Sequence, residues 1–255
     1  MIVYFSGTGN SAAVANFLAD MLGDCVLRMK PGVKHMDLDD MGRIIWVFPV
    51  HSWGIPAFVK EFMDNVEISG ACDAIHHLVL TCGDDCGETE RMWRDTISRR
   101  GWLHIGNAFS VEMPNTYVAM PFFDVDSIEV RRRKLSAVKD RVNEIASVIE
   151  SGRSGVSDIV RGRMPRLKTG VIYPWFMRHT IRPGAFRVDS KCVECGACAG
   201  ICPMGNISLY EKRPRWGERC TGCLACYHIC PRHSISYGPF TRGKGQYICP
   251  RHLEE

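Results

Sequence analysis

The sequence IVYFSGTGNSAAVANFLADML occupies residues 2–22 and decides the fold of the N-terminal half. Its first four residues form an apolar run typical of a strand, and the stretch SGTGNS follows directly. Residues 10–22 then carry Val14, Phe17, Leu18 and Met21 at helical spacing. A strand that passes through a tight loop into a helix is the opening unit of an α/β fold.

The same alternation continues to residue 151. Further strands are predicted at residues 25–29, 43–50, 74–81 and 104–113, and helices are predicted from Pro56, over 88–100 and over 127–151. The third strand, RIIWVFPV, is apolar through its middle, as in parallel strands that are buried on both faces. We therefore predict an α/β domain with a doubly wound, five-stranded parallel sheet. Ligands of such sheets bind beyond the carboxyl ends of the strands.

Charge and cysteine are unevenly distributed. Residues 1–150 hold 15 Lys and Arg against 21 Asp and Glu, whereas residues 151–255 hold 17 against 7. Nine of the 13 cysteines lie after residue 191. We predict three parts: an acidic domain at 1–151, a basic aromatic connector at 152–187, and a cysteine-rich domain at 188–255. The connector packs its aromatic side chains on both domains in this interpretation; nucleic-acid binding by its basic residues is the less favoured alternative.

Several classes of protein are excluded by composition. The longest continuous apolar run, residues 44–50, has seven residues, far below the roughly 18–20 of a membrane helix. Strand-like residues begin at Ile2, so the pattern of a secretory signal is missing. With an odd number of cysteines, a disulfide framework is disfavoured. We expect no membrane span, reduced thiols and a cytoplasmic location.

The cysteine-rich part contains an internal duplication. The motif CxxCxxCxxxCP occurs twice, and the second copy lies 28 residues after the first. Three closely spaced thiolates suit one face of an iron–sulfur cubane, and in two-cluster ferredoxins the fourth cysteine of each run ligates the other cluster. Structural zinc is the disfavoured alternative, because it leaves the remaining cysteines and the proline unexplained. One predicted 4Fe–4S cluster is held by Cys192, Cys195, Cys198 and Cys230. The other is held by Cys220, Cys223, Cys226 and Cys202. Cys249 lies outside the repeat and is predicted to be a free, buried thiol.

The loop after the first strand predicts an anion site. A helix N-terminus presents unpaired amides to a phosphate, and Ser6, Thr8, Asn10 and Ser11 add hydrogen-bond donors. The glycines also match a dinucleotide fingerprint, but the second strand ends in Arg28-Met29-Lys30, without the acid that binds a ribose. A cofactor with a terminal monophosphate is therefore favoured.

At this point the sequence resembles a known family. FSGTGNS is similar to the flavin mononucleotide (FMN) phosphate loop of flavodoxins, and FPVHSWGIP resembles their second flavin loop. Together with MPNTY at 113–117 and the cysteine repeat, nearly the whole chain resembles the fused flavodoxin–ferredoxin electron-transfer proteins of anaerobic bacteria and archaea. The resemblance implies a flavodoxin-like FMN domain followed by a small α+β ferredoxin domain with two 4Fe–4S clusters.

The resemblance also implies three groups of flavin-binding residues. Those of the phosphate loop are Ser6, Gly7, Thr8, Gly9, Asn10 and Ser11. Those bordering the isoalloxazine are Pro49, Val50, His51, Ser52, Trp53 and Gly54. Those of the third loop are Thr81, Cys82, Gly83 and Asp84. Trp53 is the predicted stacking residue, with core packing as the alternative. The third loop lacks the aromatic residue usual in short-chain flavodoxins, so we expect one flavin face to be open.

Other residues near these loops leave alternatives. His51 could relay a proton to flavin, but a hydrogen bond to a backbone carbonyl is favoured. Cys82 and Cys86 could form a redox pair, although two ordinary thiols are favoured. Asn115 and Tyr117 are weak candidates for substrate contacts. The run 131–134 is interpreted as a solvated helix face, which could equally dock an acidic redox partner protein.

The predicted function is a redox protein that transfers single electrons between the clusters and FMN, linking a low-potential donor to an acceptor. Covalent fusion keeps the cofactors at high effective concentration. The alternative is an FMN-dependent oxidoreductase that reduces a small quinone- or enone-type substrate at the open flavin face. No nicotinamide-binding module is recognisable, which argues against direct NAD(P)H oxidation.

Overall fold

The computed structural model describes residues 1–38 and 42–250. In its N-terminal half, the five strands and four helices that the hydrophobic periodicity predicts are present, and two short strands at His35–Asp37 and Glu67–Ser69 were not predicted. The strands are β1 (Ile2–Tyr4), β2 (Val26–Arg28), β3 (His35–Asp37), β4 (Arg43–Pro49), β5 (Glu67–Ser69), β6 (Ile75–Cys82) and β7 (His104–Glu112). The helices are α1 (Asn10–Leu22), α2 (Ala57–Asn65), α3 (Thr89–Arg99) and α4 (Ile128–Glu150).

The main sheet confirms the predicted α/β class. Its six parallel strands follow the order β2-β1-β4-β6-β7-β8, where β8 is Ser157–Asp158. Counted within this sheet, the first five strands have the order 2-1-3-4-5, the flavodoxin-like doubly wound arrangement. The sixth strand was not predicted, because two residues show no alternation that a sequence pattern could reveal. It pairs with Ala108 and Phe109 of β7 and comes from the predicted connector. Strands β3 and β5 pair separately.

Two apolar layers cover the faces of this sheet. Side chains of β4 alternate between them: Ile44, Trp46 and Phe48 enter one layer, and Ile45 and Val47 enter the other. Helices α2 and α3 cover the first layer, whereas α1 and α4 cover the second. Burial on both faces explains why β4 is a continuous apolar run.

The connector is largely helical. After β8 the chain forms α5 (Pro165–Leu167), one π-helical turn (Lys168–Ile172) and α6 (Tyr173–His179) without interruption, and then a 3₁₀ turn at Pro183–Ala185. Thr169, Tyr173 and Phe176 are buried along one side of this segment. The Tyr173 hydroxyl donates a hydrogen bond to the Ile55 carbonyl at 2.6 Å, which attaches the segment to the α/β domain.

The C-terminal part folds as two copies of one unit. The elements are β9 (Phe186–Val188), α7 (Ala197–Ile201), β10 (Ile207–Tyr210), β11 (Arg213–Trp216), α8 (Ala225–Ile229) and β12 (Ile235–Tyr237). Helices α7 and α8, like the starts of β10 and β12, are related by the 28-residue offset of the cysteine repeat. The pairs β9–β12 and β10–β11 are antiparallel. The small α+β arrangement is the predicted one.

Residues 251–255 of the predicted C-terminal domain lie outside the described residues. Over residues 1–38 and 42–250, no helix has the combination of length and apolar character needed to cross a membrane.

Candidate functional site

The loop between β1 and α1 forms a buried, donor-rich cradle. The N-terminus of α1 has no side-chain cap, so amides of its first turn remain for another acceptor. Gly9 has φ 102°, and its amide donates to the Ser6 hydroxyl oxygen at 3.2 Å. Ser6, Thr8 and Ser11 are buried, and the Ser11 and Thr81 hydroxyls lie 2.7 Å apart. These groups converge at the carboxyl ends of β1 and β6.

Asn10 provides a test of whether this cradle suits a ligand. Its amide nitrogen donates to the Pro114 carbonyl at 2.9 Å, whereas its buried Oδ1 has no hydrogen-bond partner. A buried polar atom without a partner is costly. The uncapped helix end and the buried Oδ1 therefore fit a bound group that carries both an anion and hydrogen-bond donors, as a phosphorylated flavin does.

A cavity of about 360 Å³ opens beside the cradle and lies within the size range of small-cofactor sites. Every predicted flavin-binding residue lines it except Gly9 and Gly54. Those two glycines face other parts of the chain. A Cβ on Gly54 would lie 2.3 Å from the Tyr173 ring, and a Cβ on Gly9 would lie 2.9 Å from the Cys249 Cβ. Both glycines thus allow close packing.

The second loop is held in an unusual backbone conformation. Ser52 and Trp53 have φ values of 47° and 63°, and His51 and Gly54 exchange backbone hydrogen bonds of 3.0 and 3.1 Å. The Trp53 carbonyl accepts a bond from the Thr169 hydroxyl at 2.6 Å, and Lys168 Nζ lies 5.1 Å from its ring centroid. Trp53 therefore lines the cavity, while Thr169 and Lys168 of the connector hold it in position.

His51 belongs to the junction between the domains. Burial lowers the pKa of its imidazole to about 4, and the ring hydrogen-bonds the backbone of Thr221 between two predicted cluster ligands. Of the two alternatives for His51, a proton relay or a hydrogen bond to the backbone, this contact corresponds to the favoured second one.

A lysine anchors the third loop, although the sequence pattern assigned this residue to a solvated helix face. Lys134 is buried; its ammonium donates to the Gly83 carbonyl at 2.7 Å and pairs with Asp126 at 2.8 Å. Burial opposes ionisation of Asp126, but the Lys134 bond and the Asn115 amide together hold the pKa of this carboxyl below its usual value. The interpretation of residues 131–134 as a solvated face is wrong for Lys134. A charged side chain on the α4 surface looks solvated in sequence when its buried partner is distant in the chain.

The third loop also contains the Cys82–Cys86 pair. Both thiols are buried, and a hydrogen bond to Cys82, together with burial, raises the pKa of the Cys86 thiol. The Cys86 thiol is therefore protonated and in contact with Cys82. Neither side chain forms a disulfide.

A wall of aromatic side chains completes the cavity, and the sequence pattern does not identify most of its residues as part of the site. Tyr117 packs edge-to-face on Phe176 at 5.4 Å and on Phe123 at 6.2 Å. Ile172 and Trp175 of the connector also line the cavity. The expectation of an open face considered the third loop alone, whereas these rings come from more distant segments. The aromatic residues interleaved with basic residues in the connector were the sequence feature that could have identified this wall.

The eight cysteines of the repeat lie in two groups of four. Cys192, Cys195, Cys198 and Cys230 line one small cavity. Electrostatic interactions join Cys202 to Cys220, Cys223 and Cys226. The fourth cysteine of each motif thus lies with the first three of the other. No three His, Cys, Asp or Glu side chains in the described ranges lie close enough to share a single metal ion.

Backbone amides surround these sulfur atoms. Asn206 N–H donates to Cys202 Sγ at 3.4 Å, and Ser234 N–H, 28 residues later, donates to Cys230 Sγ at 3.3 Å. Gly222 N–H donates to Cys220 Sγ at 3.4 Å. Such bonds stabilise thiolates and tune iron–sulfur potentials. Burial raises the pKa of the Cys223 thiol to about 12. The donor set fits iron–sulfur clusters.

The second cysteine group touches the phosphate loop. Cys223 lines the large cavity, and a Cβ on Gly7 would lie 2.7 Å from the Cys223 Cβ. Cys249 is buried nearby, and its amide donates to the Thr8 carbonyl at 2.8 Å. The cavity and one of the two cysteine groups are therefore in direct contact.

Comparison with known proteins supports the iron–sulfur part. Residues 185–232 match the family of 4Fe-4S dicluster domains. The chain therefore combines a doubly wound α/β domain with a 4Fe–4S ferredoxin-type domain, and the prediction of 4Fe–4S chemistry in the C-terminal part is confirmed.

Solved structures resemble the α/β domain only distantly. A flavodoxin from Streptococcus pneumoniae is 18% identical, with a TM-score of 0.34, over 57% of this chain and 96% of that one. An azoreductase from Bacillus anthracis is 9% identical, with a TM-score of 0.38, over 59% and 98%. An FMN-dependent NADH-azoreductase of the same organism, solved with FMN, is 11% identical, with a TM-score of 0.35, over 57% and 98%. At these TM-scores the likenesses assign no function. No curated protein matches the chain significantly.

Proposed function

We propose that this protein transfers single electrons between two 4Fe–4S clusters and a bound FMN, and so connects a low-potential donor with an acceptor. The observation that carries this proposal is the contact of Gly7 with Cys223, because it joins the flavin-type cradle to a cysteine of the iron–sulfur domain. The reduced thiols that such clusters need fit a cytoplasmic protein.

The ligands follow from the two cysteine groups. Cys192, Cys195, Cys198 and Cys230 would hold the outer cluster, and Cys220, Cys223, Cys226 and Cys202 the inner one. Cys195 is exposed, whereas Cys223 contacts Gly7. This difference supports electron entry from a donor protein at the outer group and passage inward through the inner group.

The α/β domain supplies binding and orientation for FMN. The first turn of α1 and the hydroxyls of Ser6, Thr8 and Ser11 would hold the phosphate, while Trp53 would border the ring system. FMN supplies the exchange between two-electron and one-electron chemistry, and each cluster carries one electron. The aromatic wall around Tyr117 and Phe176 excludes water from the cavity.

Anaerobically purified protein with reconstituted iron tests this proposal. We expect one FMN and about eight iron atoms per chain. The Ser11→Ala variant should bind FMN about tenfold more weakly because it loses a donor (about 1.4 kcal/mol), while Ser136→Ala on the exposed side of α4 should bind FMN normally. Absence of flavin or of iron from the wild-type protein would refute the proposal.

A second candidate function is reduction of a quinone- or enone-type substrate. The observation that favours it is the apolar rim, where Trp175 and Phe123 both line the cavity and remain exposed in part. Anaerobic stopped-flow mixing separates the two functions. Rapid reoxidation of prereduced protein by a small quinone supports the enzyme, whereas oxidation by protein acceptors alone supports the carrier.

A further inference from the structure

The connector presents an unusual exposed apolar surface beside the cavity. Met164, Val171 and Trp175 are 64%, 60% and 51% exposed, and Leu167 and Ile172 are also partly exposed. These five residues, the connector patch, lie opposite the buried side formed by Thr169, Tyr173 and Phe176. A contiguous apolar surface of this kind marks an interaction site.

A neighbouring loop extends the patch. Phe122, at φ 65°, is fully exposed, and Phe123 is 44% exposed while it also lines the cavity. Lys244 Nζ fixes this loop through the carbonyls of Val118 and Phe123, at 2.9 and 2.6 Å. Because Ile172, Trp175 and Phe123 are shared between cavity and surface, the apolar surface surrounds the opening of the cavity.

The connector that carries the patch is itself basic. Residues 159–188 hold seven Lys and Arg and no Asp or Glu. Arg161 and Lys168 pair with acids of the α/β domain. Within the described part of the chain, Arg163, Arg166 and Arg178 form no ion pair, and all three are exposed. Their positive charge is available to an anionic partner.

We propose that the connector patch and the Phe122 loop dock on the surface of an anionic lipid bilayer. An exposed helix face with Trp, Leu, Val and Met next to unpaired arginines is the pattern of interfacial helices, whose apolar side chains enter the headgroup region while the cations meet anionic lipid. The side chains protrude from a helix and a loop tip, which suits a deformable bilayer. A second copy of this chain would oppose its own arginines across a two-fold axis, and these charges repel.

Docking in this orientation turns the cavity opening toward the bilayer, where lipophilic electron acceptors of the quinone class dissolve. That consequence rests on the proposed function, whereas lipid binding itself does not.

Sedimentation of the cofactor-loaded protein with phosphatidylglycerol or phosphatidylcholine vesicles tests the docking. We expect binding to phosphatidylglycerol that weakens as NaCl rises from 0.1 to 0.5 M, and much weaker binding to phosphatidylcholine. Arg166→Gln and Arg178→Gln should each weaken binding about fivefold. Leu167→Ser with Val171→Ser should weaken it at least tenfold.

Matched controls lie elsewhere on the surface. Arg133→Gln removes an exposed charge from α4, and Leu103→Ser removes an apolar side chain that is 76% exposed. Neither should change vesicle binding. FMN and iron contents verify that each variant folds, so failure of the cofactor-loaded wild-type protein to bind, or unchanged binding by the patch variants, overturns the docking alone. Missing cofactors in vesicle-bound wild-type protein would instead refute the proposed function. Equal binding to both lipids, no binding, or a stable dimer covering the patch would each overturn the docking.

Discussion

Gly7 and Cys223 meet where the two halves of the chain join: a Cβ on Gly7 would lie 2.7 Å from the Cys223 Cβ and 3.2 Å from its Sγ. Gly7 has an ordinary φ, so the close approach, and not backbone conformation, accounts for the glycine. The contact joins a predicted phosphate-binding residue to a predicted cluster ligand. Its removal should affect both cofactors.

A Gly7→Ala substitution should therefore separate the two domains locally. We expect less bound FMN and at least tenfold slower reoxidation of the clusters by FMN, measured by flavin release and anaerobic stopped-flow absorbance. Gly170→Ala is the matched control, because no atom lies within 4 Å of a Cβ at that helical position. Normal FMN content and electron transfer in Gly7→Ala would show that the contact is unimportant.

The sequence pattern reveals elements that obey a local period and misses those set by distant contacts. Helix α1 has the predicted bounds because its apolar spacing and flanking glycines agree. The 28-residue repeat agrees with the equivalent positions of α7 and α8, although the sequence pattern did not predict these two helices. The burial of Lys134 and the connector side of the cavity could not be inferred, because the Gly83 loop that Lys134 anchors and the residues that the connector covers lie far away in the chain. Thr169, Tyr173 and Phe176 follow one another at spacings of four and three residues, and their packing can be recognised only when the residues that they contact are known.

Lys134 should be essential for the stability of the folded protein, because it anchors the third loop. Replacing it by Met leaves Asp126 without its ion pair and Gly83 without a donor, which should lower the free energy of unfolding by roughly 3 kcal/mol. Urea unfolding followed by tryptophan fluorescence measures this loss. The exposed Arg133→Met control should change stability by no more than about 0.5 kcal/mol. Equal stabilities of the two variants would contradict the anchoring role.

His76 should make the α/β domain sensitive to mild acid. Trp46 Nε1–H donates to His76 Nδ1 at 3.1 Å, and His76 Nε2–H donates to the Ala71 carbonyl at 2.9 Å, so the neutral ring is fully bonded. Burial lowers its pKa to about 4 from about 6.5 when unfolded. The unfolded state therefore binds more protons between these values, and stability falls as pH decreases through this range.

The corresponding experiment compares pH 7 with pH 5. The wild-type protein should lose roughly 2 kcal/mol more than His76→Gln over this interval, since one pKa unit is worth about 1.4 kcal/mol. His35→Gln, at an exposed site, should behave like the wild type. An identical acid response in His76→Gln would exclude His76 as a source of the pH dependence.

Cys86 should be almost inert toward alkylation. It is completely buried, and its hydrogen bond to Cys82, with burial, raises the pKa of its thiol. Since the thiolate is the reactive form, iodoacetamide should modify Cys86 far more slowly than the exposed Cys72 in the cofactor-loaded protein. Peptide mass spectrometry follows both sites. Recovery of a Cys82–Cys86 disulfide from oxidised protein would favour the redox-pair alternative.

Substitution of the fourth cysteine in each motif should distinguish crossed from uncrossed ligation. Cys202 lies with Cys220, Cys223 and Cys226, although in sequence it follows the outer group, and Cys223 of this group lines the large cavity. Cys202→Ser should thus disturb the inner cluster and slow electron transfer to FMN. Cys230→Ser should disturb the outer cluster, leaving the cluster that exchanges electrons with FMN intact. Iron analysis and low-temperature electron paramagnetic resonance separate the two centres.

Cys249→Ser is the control, since Cys249 is buried near the phosphate loop but belongs to neither of the two cysteine groups. It should retain about eight iron atoms. If Cys202→Ser spared the inner cluster and Cys230→Ser impaired it, each motif would ligate its own cluster. The contact between Gly7 and Cys223 would still join FMN to the second motif, but the route from the exposed Cys195 inward would then lack the crossed ligands that tie the two groups together.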